Sequence, residues 1–264
     1  MFGFSPKLPV SDEQRLWTDE GFRCLEKLLG RRRMLDARVV EPTAEDFPDP
    51  YDKTPQAVEK LFSRVCAYMR IDRRSVELEI FQDETDELRE IVPYWRGGTG
   101  KQAAGLYVHA HEQDQGPGDG DGHMVVAVRS TMLKDPMSLV ATVAHELGHV
   151  ILLGGKLMSP KTPDHEPLTD LLTVFLGLGI FTANSAARFR QYQEDRRVGW
   201  SLQNLGYLRE EVFGYALAKF AAEGGDNKAV WARHLSPNVR SDFKHSKRWL
   251  AENPHYVTIA KPIG

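Results

Sequence analysis

The sequence predicts an α+β chain: a small twisted sheet and two apolar helices form a core, with helical extensions at both ends. Three observations predict it. Short runs with strand character come first, at Ser75-Val76-Glu77-Leu78-Glu79-Ile80, Gly105-Leu106-Tyr107-Val108-His109-Ala110 and His123-Met124-Val125-Val126-Ala127-Val128-Arg129. Two apolar segments with helical spacing follow, one opening at Asp135 and the other at Asp164. Amphipathic helical patterns fill the two ends. The expected organisation is a helical N-terminal extension over 1–72, a core over 73–183 and a helical C-terminal region over 184–264 that packs on the core.

Taken in order, Ser11-Asp12-Glu13-Gln14 reads as a capping box ahead of Leu16, Trp17, Phe22, Leu25, Leu28 and Leu29. Gly30, Pro42 and Pro48 mark a loop after this helix. Thr54-Pro55 starts a second helix, with Val58, Leu61, Phe62, Val65, Cys66 and Met69 on one side. The alternation over Ser75 to Ile80 gives the first strand. Between the next two strands, Gln115-Gly116-Pro117-Gly118-Asp119-Gly120-Asp121-Gly122 has the composition of a hairpin loop, without the ligand spacing of a calcium loop. Beyond the second apolar helix, Asn184, Ser236 and Pro237 mark further helix starts, and Val212 to Ala222 reads as an apolar helix.

The chemistry is concentrated in the first apolar helix. Asp135 and Pro136 supply an N-cap and a first-position proline, and Leu139, Val140, Val143, Leu147, Val150 and Ile151 recur at helical spacing. This pattern buries one side and groups His145, Glu146 and His149 on a neighbouring arc. His145-Glu146-Leu147-Gly148-His149 is an HExxH pattern, in which two histidines four apart on one helical face reach a single metal and the glutamate stands beside them. With nine histidines in 264 residues, about 0.02 chance matches are expected.

A catalytic zinc takes three protein ligands and keeps a fourth position for water. The extended pattern HExxHxxGxxH fails, since Leu152 stands at the glycine and Gly155 at the third histidine, which excludes a metzincin. Asp164-His165-Glu166-Pro167-Leu168-Thr169-Asp170 opens the second apolar helix, Leu171 to Ala183, and Glu166 and Asp170 share one of its faces. Here the chain resembles the gluzincins, the thermolysin-like zinc peptidases, and within them the compact minigluzincins, in which HExxH is followed by a helix carrying E-x-x-x-D. The resemblance covers Gly105 to Ala183. It implies a zincin-like core, Zn2+ held by His145, His149 and Glu166, and Asp170 orienting His145 through its outer N–H. Pro167 disfavours helical backbone at Glu166 but is tolerated in a first turn; if Asp164 caps the helix, Glu166 falls in that turn. His165 and Asp164 are the competing third ligands.

The activity that follows is peptide-bond hydrolysis, with a zinc-activated water and Glu146 as general base. An oxyanion stabiliser would come from outside the two helices; Tyr207, Arg209 and His234 are the candidates. By the same resemblance, the strand His123 to Arg129 would be the sheet edge to which a peptide substrate adds. Two alternatives share the site: a zinc amide hydrolase acting on small molecules, and a silent zincin-fold binding or regulatory protein.

Composition sets the remaining expectations. A net charge of −3 gives no case for nucleic acid, and Arg31-Arg32-Arg33 reads as a solvated helix end. Two cysteines, Cys24 and Cys66, indicate neither a disulfide framework nor a cysteine metal site. The longest apolar run, Leu171 to Ala183, is too short to cross a bilayer. Met1 to Lys7 lacks the pattern of a secretion signal. A cytoplasmic enzyme is expected, with a peptide or protein substrate, no membrane, and a regulatory protein partner as a further expectation. Arg96-Gly97-Gly98-Thr99-Gly100-Lys101-Gln102 fails as a phosphate loop at Trp95 and Gln102. His109 and His111 fit the exposed face of a half-buried strand.

Overall fold

A computed structural model of the chain describes residues 7–82, 105–109, 124–193 and 208–257, without the side chains of 105–109 and 187–193. Its strands are β1 (Val76–Phe81), β2 (Gly105–His109) and β3 (Met124–Arg129). Its helices are α1 (Asp12–Leu29), α2 (Arg31–Leu35), α3 (Pro55–Tyr68), α4 (Pro136–His149), α5 (His165–Phe175), α6 (Gly179–Gln193), α7 (Glu210–Glu223) and α8 (Pro237–Glu252). Among the described residues the result is a helix-rich α+β arrangement with one small sheet. It divides into two compact units, Pro42–Thr162, and Met1–Glu41 together with Pro163–Gly264.

The unit Pro42–Thr162 holds the sheet. Its order is β1-β3-β2, with β1 parallel to β3 and β2 antiparallel to β3. The register pairs Gly105 with Val128 and His109 with Met124, the hairpin arrangement expected of these two runs. β3 is therefore the central strand, not the edge expected above. The reason is visible in its side chains: Val126, Ala127 and Val128 are all buried, so both faces are covered, and both rows of backbone groups are spent on neighbours. α3 buries Ala57, Val58, Leu61, Phe62, Val65 and Cys66 and packs against α4 and β1, while α4 also packs on β2 and β3. Thr54 caps α3 by accepting from the Ala57 N–H. The loop ahead of α3 is tied down by Tyr51, whose hydroxyl donates to the Leu133 carbonyl at 2.9 Å, and by Arg64, which donates twice to Asp49 Oδ2.

α4 begins as expected, with Asp135 Oδ1 accepting from the Met137 and Ser138 N–H groups ahead of Pro136 at the first position. Every residue from Ser138 to His149 is then buried. The expected single buried side is thus replaced by burial all round, the condition of a helix inside a core. A π-helical turn, Val150–Gly154, continues it. The 19 residues Pro136–Gly154 are long and apolar enough to cross a membrane by length and composition, and 78 % of the apolar window is buried inside the protein.

In the other unit, Ser11 and Gln14 form the capping box of α1. α1 packs on α5 at Gly21, where an added Cβ would lie 2.5 Å from Leu171 Cδ2. The apolar run from Leu171 does not form one helix. α5 ends at Phe175, Gly177 takes φ 86°, and α6 starts at Gly179, so Asn184 lies inside a helix instead of starting one. Gly177 is required there: its carbonyl accepts from the Val40 N–H, and a Cβ would meet the Arg38 carbonyl oxygen at 2.1 Å. Asn184 instead joins two elements, donating to the His234 carbonyl and accepting from the Ser236 N–H.

α7 and α8 pack closely where Gly214 meets Asp242. Beneath them lies a buried charged cluster. Lys219 Nζ is 3.1 Å from Asp19 Oδ1 and 3.3 Å from Glu223 Oε1, and donates to the Tyr256 carbonyl. Tyr215 donates its hydroxyl to Asp19, and Arg31 bridges Glu26 and Glu223. Burial of these charges is tolerated because each is paired. Arg31 is thereby a structural ion-pair residue, not simply part of a solvated helix end.

Candidate metal centre

His145, Glu146 and His149 are about 5 % exposed (5 %, 6 % and 5 %). The four-residue spacing on one helix brings the two imidazoles together, with Nε2 to Nε2 at 3.2 Å and the rings edge to face, centroids 4.8 Å apart. Two ligands held about 2.0–2.1 Å from one zinc at the tetrahedral angle stand roughly 3.3 Å apart. The pair is therefore already at the separation that shared ligation requires.

The start of α5 differs from expectation in one respect. Asp164 occupies the N-cap position, but at φ 62° and ψ 18°, with no side-chain capping bond. A capping side chain needs extended backbone to fold back over the first N–H groups, and the left-handed conformation does not supply it. Glu166 nevertheless lies in the first turn, as the sequence suggested. His165 Nε2 is 3.2 Å from Glu166 Oε1, and the His165 carbonyl accepts from the Thr169 hydroxyl at 2.8 Å.

His145, His149 and Glu166 are a set of donors that could hold a metal ion. His165 and Asp164, the two competing ligands, are not part of it. Two imidazole nitrogens and a carboxylate suit zinc and are open to other divalent first-row ions, so the donor set does not by itself select the metal. Asp170, one turn beyond Glu166, is buried, and its Oδ2 accepts from the Leu208 N–H at 2.8 Å. No local pattern could have announced that bond, since its partners stand 38 residues apart. The His165–Glu166 pair was legible only as two adjacent polar residues.

Arg209 sits at the N-cap of α7 with Nε 2.8 Å from Glu211. His234 lies 3.0 Å from Glu41 Oε2, and the Arg233 Nε–H donates to its Nε2. Tyr207, His111, the glycine-rich stretch 115–122 and residues 96–102 lie outside the described residues, as does the side chain of His109. Comparison of the chain with known protein families, with curated proteins and with solved structures gives no match.

Proposed function

We propose that this chain is a zinc-dependent metallopeptidase of the gluzincin type, built on a zincin-like core, with His145, His149 and Glu166 as the zinc ligands. The observation that carries the reading is the pair of buried imidazoles with Nε2 atoms 3.2 Å apart on α4, with a glutamate directly after the first of them. The sequence of that helix is the HExxH pattern, and Glu166 supplies the third donor of the group.

When bound, zinc supplies Lewis acidity to a substrate carbonyl and lowers the pKa of a coordinated water to about 7. The protein's own groups do the rest. His145 and His149 are held by a helix buried on all sides, so their spacing is fixed before any ion arrives. Glu146, which is outside the ligand group, takes a proton from the attacking water on its carboxylate and returns it to the leaving amine nitrogen. Its burial keeps that carboxylate out of bulk solvent. Asp170 is assigned the outer N–H of His145, which would fix the tautomer that ligates through Nε2.

Because β3 is paired on both sides, a substrate peptide adding as a strand must use another edge. β2 runs antiparallel to β3, packs beside α4, and has no second strand partner among the described residues. We assign the peptide-binding edge to β2, where main-chain hydrogen bonds would hold the substrate alongside the helix that carries Glu146.

The deciding experiment measures metal content by plasma mass spectrometry and peptide cleavage on a mixed peptide library, for wild type, Glu146→Gln, His149→Ala and Glu166→Ala. Wild type and Glu146→Gln should each carry about one zinc, as one tetrahedral site implies. New peptide termini should appear with wild type only, and the other two variants should lose both metal and cleavage. A wild-type chain that takes up no metal when zinc is supplied rules the reading out.

A further inference from the structure

The start of α5, where Glu166 lies, has no side-chain cap. Asp164 makes no capping bond, and Pro167 has no N–H. Glu166 is also partly exposed, its side chain retaining 37 % of its accessible surface. A glutamate side chain has three torsions, and a ligand whose side chain is ordered before binding holds a metal more tightly than one ordered on binding. The neighbouring imidazole stands against Glu166, with His165 Nε2 3.2 Å from Oε1. The His165 backbone is itself fixed, because its carbonyl accepts the Thr169 hydroxyl.

We propose that His165 is a positioning residue for Glu166. It donates its Nε2–H to Oε1, which orders the carboxylate and leaves the other oxygen to ligate the metal. This is the counterpart, on the carboxylate ligand, of the carboxylates that orient ligating histidines. An Nε2 that carries this proton has no lone pair for a metal, which agrees with the absence of His165 from the ligand group. The proposal rests on the reading of Glu166 as a ligand.

The test is the zinc dissociation constant of the full chain, measured by competition with a chromophoric chelator, for wild type, His165→Ala, His165→Gln, Glu166→Ala and the double variant His165→Ala/Glu166→Ala. Loss of the donor should weaken binding about 10- to 100-fold in His165→Ala, while the glutamine amide N–H should bring His165→Gln back to within about threefold of wild type. In the Glu166→Ala background the His165→Ala change should add nothing, because His165 acts through Glu166. An unchanged His165→Ala, a His165→Gln as weak as His165→Ala, or a further loss in the double variant overturns the positioning role. Glu166→Ala binding as tightly as wild type would instead remove the ligand reading itself, a result distinct from the other three.

Discussion

The backbone N–H of Leu208 donates to Asp170 Oδ2 at 2.8 Å, joining the chain ahead of α7 to the helix that carries Glu166. Asp170 therefore has a structural task besides the one assigned to it at the metal. The two are separable by substitution. Asp170→Ala leaves a buried N–H without its acceptor and should cost about 1–3 kcal/mol. Asp170→Asn keeps an oxygen for Leu208 and should retain most of that stability. Both variants remove the carboxylate charge, so both should weaken zinc binding by about 10- to 100-fold. Urea unfolding of the metal-free chains and zinc titration of the same samples check the two halves. Wild-type zinc affinity in Asp170→Asn would confine Asp170 to its bond with Leu208.

Metal removal should be visible as stability. Under the proposed function the ion binds only the folded chain, so free zinc at about 100 times its dissociation constant should add about 2.7 kcal/mol. His149→Ala should abolish this zinc-dependent gain, whatever it does to the metal-free protein. Glu146→Gln should keep the gain in full. A chelator should reverse it in wild type. Thermal unfolding with and without zinc reads all three chains, and an equal gain in wild type and His149→Ala would place the zinc elsewhere.

Gly177 is the position where the second apolar segment turns. At φ 86°, with the Arg38 carbonyl oxygen 2.1 Å from where a Cβ would stand, it accepts the Val40 N–H. Gly177→Ala should cost about 3 kcal/mol, made up of about 1–2 for the left-handed backbone and about 1 for the disturbed hydrogen bond. The break between α5 and α6 should persist, because the residues on either side remain buried. Thermal unfolding checks the loss, and a variant as stable as wild type would mean that the Val40 segment gives way freely.

What could be read from the sequence was whatever is decided locally. Ser11 with Gln14, Thr54 before Pro55, and Asp135 before Pro136 each cap a helix where the pattern placed it, because a cap is an interaction among four neighbouring residues. The spacing of His145 and His149 is of the same kind, set by the geometry of a single helix. The misreadings share the opposite cause. The run Leu171 to Ala183 carries no charge and no proline, yet it turns at Gly177 against Arg38 and Val40, far away in sequence. β3 became the central strand through a parallel partner 48 positions upstream, Val76 opposite Met124, which no alternation of side chains specifies. Asp164 has the residue type of a cap, but its left-handed backbone denies it the role.

Alkaline pH should weaken the protein through two groups that the fold keeps protonated. Burial pushes the Cys66 thiol from 9.0 up to about 12, against the opposing charge of Arg73. Burial, and then the negative charge of Asp19, raise the Tyr215 hydroxyl above its ordinary 10.0. In both cases the folded-state value exceeds the unfolded one, so the unfolded chain releases its proton first. The stability linked to these groups is complete below about pH 9 and declines as pH rises, from about 9 to 12 for Cys66 and from about 10 upward for Tyr215. Urea unfolding between pH 8 and pH 11 should show this fall, and Tyr215→Phe should flatten its upper part. The Tyr215 hydroxyl also donates to Asp19, so the same variant should be less stable at pH 7 by about 1.5–3 kcal/mol, the range for a hydrogen bond to a charged group. At pH 8 the Cys66 thiol should resist iodoacetamide in the folded chain and react once urea unfolds it. An unchanged alkaline slope in Tyr215→Phe would remove Tyr215 from the account. Rapid native alkylation of Cys66 would show that α3 opens far more readily than its packing against α4 and β1 implies.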